Sequence, residues 1–311
     1  MTQATKTIPK ISPDKFKIVG GDSSASEVLA DKSVSFWKEV WLRFSKNKLA
    51  VAGIIIIAIV ALMAIFVPFL SPYKYNEILG NFNTAPNGKN WFGTDDLGRD
   101  VFTRVWYGAR ISLFIGLAAA FIDLVIGVAW GAVAGLVGGR VDDIMMRIAD
   151  VLTAVPYLLV VIILLVVMEP GLLPLIIALS ITGWVNMARI VRGEVLTIKN
   201  QEYVLAARTL GARTWHLIMR HLVPNALGAI IVTMTLTIPS AIFTESFLSY
   251  IGLGVSQPQA SWGTMASEGN NAIDTAPWRL IFPALFISLT IFAFNAVGDG
   301  LRDALDPKLR K

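Results

Sequence analysis

Long apolar runs alternate with short polar stretches along this chain, and the length of the runs decides what they are. Crossing a hydrocarbon core of roughly 30 Å takes about 20 apolar residues in a helix, because lipid offers no partner to an unpaired backbone group. The run from Leu49 to Leu70 carries no charge, and the run from Ile111 to Val137 carries only Asp123. Four more follow: Ile144 to Met168, Leu172 to Val191, Ala226 to Tyr250 and Leu280 to Val297, each bounded by glycine, proline or charge. The pattern predicts an all-α integral membrane protein with six transmembrane helices, at 49–70, 111–137, 144–168, 172–191, 226–250 and 280–297. Residues 49–311 then form the transmembrane domain, with a long connection at 192–224. Residues 35–48 read as an interfacial segment, and 1–34, with GGDSSASE at 20–27, as a disordered tail. A polar stretch of 48 residues ahead of the first apolar run argues against a cleavable signal peptide.

Composition changes this picture only by what it excludes. An apolar content of 55%, a charged content of 16% and a mean hydropathy of +0.63 exceed what one soluble core needs. The absence of cysteine removes disulfides, thiolate metal sites and thiol catalysis. An isoelectric point near 9.4 suits nucleic-acid binding, but the charges are placed otherwise. Of the 27 Lys and Arg residues, only Lys74, Lys89, Arg99, Arg104, Arg110 and Arg279 fall on one side of the predicted spans. The rest lie in the N-terminal tail, the 138–147 turn, the 189–220 segment and the C-terminus. Basic loops resist translocation, so both termini are assigned to the cytoplasm and the chain to the plasma (inner) membrane. The basic balance follows from topology; the lipid bilayer is the expected partner and nucleic acid is not.

The connection between spans four and five contains QEYVLAARTLGARTWHLIMRHLVPN. Tyr203, Ala206, Ala207 and Leu210 fall at i, i+3, i+4 and i+7 and give one small, mostly apolar helix face, with Arg208 pointing elsewhere. Gly211 suits the left-handed position that ends a helix, and Thr214 suits the cap of the next. Such a helix fits either a groove on another protein or the headgroup layer, and periodicity does not choose between them.

These residues resemble the signature loop of permease subunits of ATP-binding-cassette (ABC) importers, in which two alanines are followed by a glycine and a proline at fixed spacing. Ala206, Ala207, Gly211 and Pro224 match; Leu205 stands where the family has Glu, with Glu202 one turn earlier, and His221 and Val223 replace Ile and Leu. FGTDDLGRDVFTRVWYGARISL at 92–113, GGRVDDIMMRIADVL at 138–152, ESFLSYIGLG at 245–254, SWGTMASEG at 261–269 and GDGLRDALDPKLR at 298–310 are similar to oligopeptide/dipeptide permeases of the C type. The resemblance implies the type I permease fold with a cytoplasmic coupling helix, formed here by Glu202, Tyr203, Leu205, Ala206, Ala207, Leu210 and Gly211. It also implies four partners: a homologous second permease subunit, two cytosolic ATPase subunits and an extracellular peptide-binding protein. Import of oligopeptides by alternating access is the implied function. A dipeptide, a nickel chelate or glutathione is the alternative cargo within the family. No G-x-x-x-x-G-K-[ST] sequence is present, so ATP and Mg are expected on the partner ATPases, with no cofactor, catalytic residue or metal ligand in this chain.

Inside the spans, Gly127, Gly131 and Gly135 repeat every four residues, with Gly116, Ala120 and Asp123 on nearly the same face. Asp123 reads either as a carboxylate lining a pathway or as a structural hydrogen bond to a neighbouring helix. The second is preferred, because ATP-driven import needs no proton relay. Glu245, near the outer end of span five, is placed to meet a peptide amine or headgroup water. Arg147 and Asp150 are spaced for a local ion pair, and Pro156, Pro174, Pro239 and Pro283 for kinks. In the outer loops at 71–110 and 251–279, Trp91, Trp262 and Trp278 suit the headgroup belt, and Asp95, Asp96, Arg99 and Asp100 either a partner or water. Two other functions compete. A membrane-embedded hydrolase would need a metal or nucleophile set, and His216 and His221, five apart, point about 140° from each other on an α-helix. An ion-coupled secondary transporter would show paired repeats, and none is visible by eye.

Overall fold

The computed structural model describes residues 35–306, so the tail expected at 1–34 lies outside the described residues. The described residues divide into two compact units between Glu39 and Val40. In the first, the rings of Phe36 and Trp37 meet edge to face with centroids 5.2 Å apart. Helix α1 (Phe36–Phe44) runs from the first unit into the second, which holds α2 (Lys48–Leu70), α3 (Val101–Val137), α4 (Gly139–Ala154), α5 (Tyr157–Met168) and α6 (Leu172–Ile198). After them come α7 (Glu202–Thr209), α8 (Thr214–Leu217), α9 (Val223–Leu248), α10 (Trp262–Asn270) and α11 (Trp278–Leu305). Turns of π-helix at Ile218–Leu222 and Ser249–Leu253 join α8 to α9 and prolong α9. Among the described residues there is no strand, only a lone bridge between Thr94 and Asp100.

Five rods are long and apolar enough to span a bilayer, and α4 with α5 makes a sixth, bent by 80°. The run expected as one helix at 144–168 is therefore broken. Pro156 has no N–H to continue the ladder and pushes Val155 into an extended conformation (φ −77°, ψ 131°). Pro174, by contrast, sits in the first turn of α6, where no hydrogen bond is lost, and Pro239 and Pro283 lie inside unbroken helices. Helix α3 starts at Val101 rather than at Ile111, because Asp100 caps it, its carboxylate accepting from Thr103 N at 2.8 Å. Its 37 residues reach about 55 Å, well beyond the hydrocarbon. Helix α6 runs to Ile198, so the connection expected from 192 begins as helix.

The small-residue stripe of α3 is a packing surface with two partners in succession. A Cβ at Gly116 would stand 2.6 Å from Ile242 Cγ1 of α9; one at Gly127 would stand 2.6 Å from Met187 Cβ of α6, and one at Gly135 2.8 Å from Val195 Cγ1. Gly131 lies against the Ala188 carbonyl in the same way. Any side chain there would force α3 and α6 apart. Gly53 and Gly300 play the same part between α2 and α11. One end of the bundle gathers Phe44, Ala50 and Leu305 into one cluster, and Leu136, Ile198, Val204 and Leu217 into another. The opposite end is built from residues 71–100 and 254–277.

Candidate functional site

Helix α7 stands at the end of the bundle where α3 and α6 finish. Val204 is its anchor, 2% exposed among Leu136, Ile198 and Leu217, and Ala207 is half-buried beside it. Glu202, Tyr203, Leu205, Ala206 and Leu210 are exposed, Leu210 at 88%. Gly211 takes φ +86° and ends the helix with a paired closure, its N–H donating to Arg208 O at 3.0 Å and Ala212 N–H to Ala207 O at 3.1 Å. The cap expected from Thr214 is not made: Arg213 holds the cap position of α8 without a side-chain bond, and Thr214 is already helical.

The two histidines also depart from expectation. Bonds in a π-turn run from i to i+5, so residues five apart return to one side. His216 and His221 thus face each other with ring centroids 5.9 Å apart, and Tyr203 stands 6.2 Å from His221. Among the described residues no group of three His, Cys, Asp or Glu side chains could hold a metal. The ion pair expected between Arg147 and Asp150 is replaced by Arg189 to Asp150, at 2.9 Å. Arg192 grips Asp142 with two bonds of 2.5 and 2.6 Å, and Lys199 donates to Gly135 O at 2.8 Å. Helices α3, α4 and α6 are clamped together at the end that carries α7.

Deeper in the bundle, α3, α5, α6 and α9 line an open-sided cavity of about 460 Å³. Asp123 lines it, 3% exposed, and its Oδ1 has no hydrogen-bond partner, so the bond to a neighbouring helix expected there is not formed at that atom. Gly183 of α6 makes the room: a Cβ on it would stand 2.7 Å from Asp123 Cγ. The Tyr157 hydroxyl, just past the α4–α5 break, is buried, unpartnered and on the same cavity. Thr233, Thr237, Ser240 and Thr244 supply the α9 wall. Their spacing at i, i+4, i+7 and i+11 is a polar stripe on an apolar helix, the signal from which sequence reading could have found this wall.

An exposed short helix at one end, a cavity with one hydroxyl-lined wall between long apolar helices and a glycine seam meet in this chain, and comparison with known proteins names the architecture. The family model described as the binding-protein-dependent transport system inner membrane component matches residues 127–311, and the N-terminal TM domain of oligopeptide transport permease C matches residues 35–87. The chain belongs to this permease family.

Among its relatives, the oligopeptide transport system permease protein OppC of Bacillus subtilis is 61% identical over 98% of this chain and 100% of its own length. The dipeptide transport system permease protein DppC of the same organism is 56% identical over 96% and 94%. The OppC protein of Escherichia coli is 42% identical over 92% and 95%. The MetNI methionine ABC transporter, solved in an inward-facing conformation, matches in fold with a TM-score of 0.53 at 16% identity, over 64% of this chain and 94% of that one.

In this permease, Glu245 meets neither a cavity nor headgroup water. It is fully buried, accepting from Ser112 Oγ at 2.9 Å and Ser249 Oγ at 2.8 Å, with Ser246 Oγ at 3.4 Å. The Ser112 hydroxyl accepts from Trp262 N in turn, so α3, α9 and α10 are tied at one carboxylate. The charges of the 71–110 loop are internal as well. Asp95, Arg99 and Asp100 are buried; Arg99 pairs with Asp95 at 2.6 Å, and Arg104, 1% exposed, joins Asp95 at 3.4 Å to Glu268 at 3.1 Å. Asp96 is half-exposed but held by Arg279 at 3.0 Å. Only Trp91 of the three expected belt residues is exposed; Trp262 is buried with its indole N–H on Val105 O, and Trp278 donates to Thr94 O. This end of the permease is a folded cap rather than a set of floppy loops.

Proposed function

We propose that this permease forms half of the translocation pathway of an ABC importer for oligopeptides. The observation that carries the reading is α7: an exposed, partly apolar helix, closed by Gly211 and fixed at Val204, on the end of the bundle that bears most of the positive charge. By the charge rule that end is cytoplasmic, with both termini, so α7 is presented where cytosolic ATPases would dock. Glu202, Tyr203, Leu205, Ala206, Ala207, Leu210 and Gly211 are the docking residues in this reading. The ATPases, two in number, bind ATP and Mg and hydrolyse the nucleotide; this chain needs no cofactor of its own. Their closure pushes α7, and the clamp of Arg192 on Asp142 and Lys199 on Gly135 passes the push into α3, α4 and α6. The helices then alternate between inward-open and outward-open arrangements against a homologous second permease subunit. An extracellular peptide-binding protein delivers cargo to the folded cap at the opposite end.

Full-length similarity to an OppC protein supports oligopeptides as cargo, and the 56% identity to a DppC protein keeps dipeptides as the second reading. Purifying the tagged chain from its native membranes should bring down two ATPases and a second permease, and vesicles made from the complex should take up labelled tripeptide when supplied with ATP. Uptake that continues without ATP and stops when the proton gradient collapses would overturn the proposal in favour of ion coupling. Labelled dipeptide taken up in place of tripeptide would select the second reading.

A further inference from the structure

Burying a carboxylate oxygen without a partner is costly, and native interiors leave few such atoms. Asp123 Oδ1 is one, and the cavity it lines holds a second orphan of opposite sense, the Tyr157 hydroxyl. The threonines of the α9 wall are biased in the same direction as Asp123, while Asn186 of α6 brings an amide of both senses. Thr233, Thr237 and Thr244 spend their hydroxyl protons on backbone carbonyls four residues back, at 2.8, 2.9 and 2.8 Å, so what they offer the cavity is lone pairs. Among the described residues no Lys, Arg or His lines the cavity, and Asp123 is the only charged one that does. At about 460 Å³ it is of a size that accepts a small ligand or the end of a chain.

A group that satisfies this wall must bring a cation rich in N–H and, next to it, an acceptor for a tyrosine hydroxyl. A free peptide N-terminus has both, an ammonium and the first carbonyl one carbon away. We propose that the cavity is a transit site for the amino-terminal end of the transported peptide, with the ammonium on Asp123 and the adjacent carbonyl on Tyr157. The inference rests on the peptide reading above. A single carboxylate suits passage: it draws the ammonium out of water into a low-dielectric wall, yet one contact is weak enough to be left.

The chain has no cysteine, so Ser240→Cys, a near-isosteric change on the cavity wall, places one thiol there. The assembled complex in membrane vesicles is treated with methanethiosulfonates carrying either a trimethylammonium or a sulfonate group. The cationic reagent should modify the Ser240→Cys variant at least about tenfold faster than the anionic one, the preference expected of one nearby negative charge in a poorly solvated wall. A transported tripeptide with a free amine should slow the cationic reagent, Asp123→Asn should abolish the preference, and Asp123→Glu should restore it. In ATP-driven tripeptide uptake, Asp123→Asn should cut the initial rate at low substrate at least about tenfold, one missing charge-assisted bond's worth. Equal labelling by both reagents, or a preference that survives Asp123→Asn, overturns the proposal. So does labelling seen in the isolated chain but blocked in the complex, which would show that the second permease fills the cavity. If the cation preference holds while the complex takes up no peptide, it is the function proposed above that fails.

Discussion

Glu245 shows what a buried acid does when it has no cargo to meet. Ser112 and Ser249 both donate to it, from α3 and from the π-turn after α9. Glu245→Ala strands these hydroxyls in a void and should lose about 2–4 kcal/mol in mixed-micelle unfolding, whereas Glu245→Gln, which keeps shape and an acceptor, should lose about 1 kcal/mol or less. Equal losses for the two would show that filling the space matters and bonding does not. The sequence marked Glu245 as notable but placed it wrongly, since Ser112 lies 133 residues away and nothing local announces the bond. Asp123 was legible as a charge on the small-residue stripe; that its oxygen stays unpaired depends on Gly183 of another helix, which no pattern along α3 reveals.

Helix α7 was readable nearly residue by residue, because its determinants are local: four small or apolar positions on one face and a glycine where φ turns positive. The same locality makes its test direct. Nothing lies within 4 Å of a Cβ built on Gly211, so Gly211→Ala pays only the left-handed backbone, about 1–2 kcal/mol. It should fray the end of α7 and weaken ATPase co-purification from detergent extracts. Gly211→Trp adds bulk on the face proposed for docking and should abolish it, with insertion into the membrane unchanged. ATPase retained at normal yield by the Trp variant would remove α7 from the contact. The π-turn at 218–222 was not readable, since IMRHL carries no signal that distinguishes bonds to i+5 from bonds to i+4. Inferring that His216 and His221 diverge was sound for an α-helix and wrong for this one. Pro156 announced a kink, but its size, 80° with Val155 extended, is not contained in periodicity.

The spans were legible because apolar length reports on the solvent directly, and the placement of Lys and Arg supplies the proposed orientation. It is also simple to check in a chain without thiols. Ala85→Cys, exposed in the loop after α2, should react with an impermeant maleimide added to intact cells, and Arg208→Cys on α7 only after permeabilisation. The reverse result would invert the orientation and with it the assignment of α7. The outer cap was not legible, because Asp95, Arg99 and Arg104 read as ordinary loop charges until folding brings Glu268 to them.

The break at Pro156 reaches beyond geometry. Helix ends leave carbonyls and amides without intrahelical partners, and at membrane depth these survive only against protein or trapped water. Tyr157 puts the break on the rim of a polar cavity, and α5 beyond it is widely uncovered, with Val166 and Val167 each 78% exposed. A copy inserted without the second subunit proposed above would present that break to lipid. One proline thus sets how much of this chain lipid alone can accommodate.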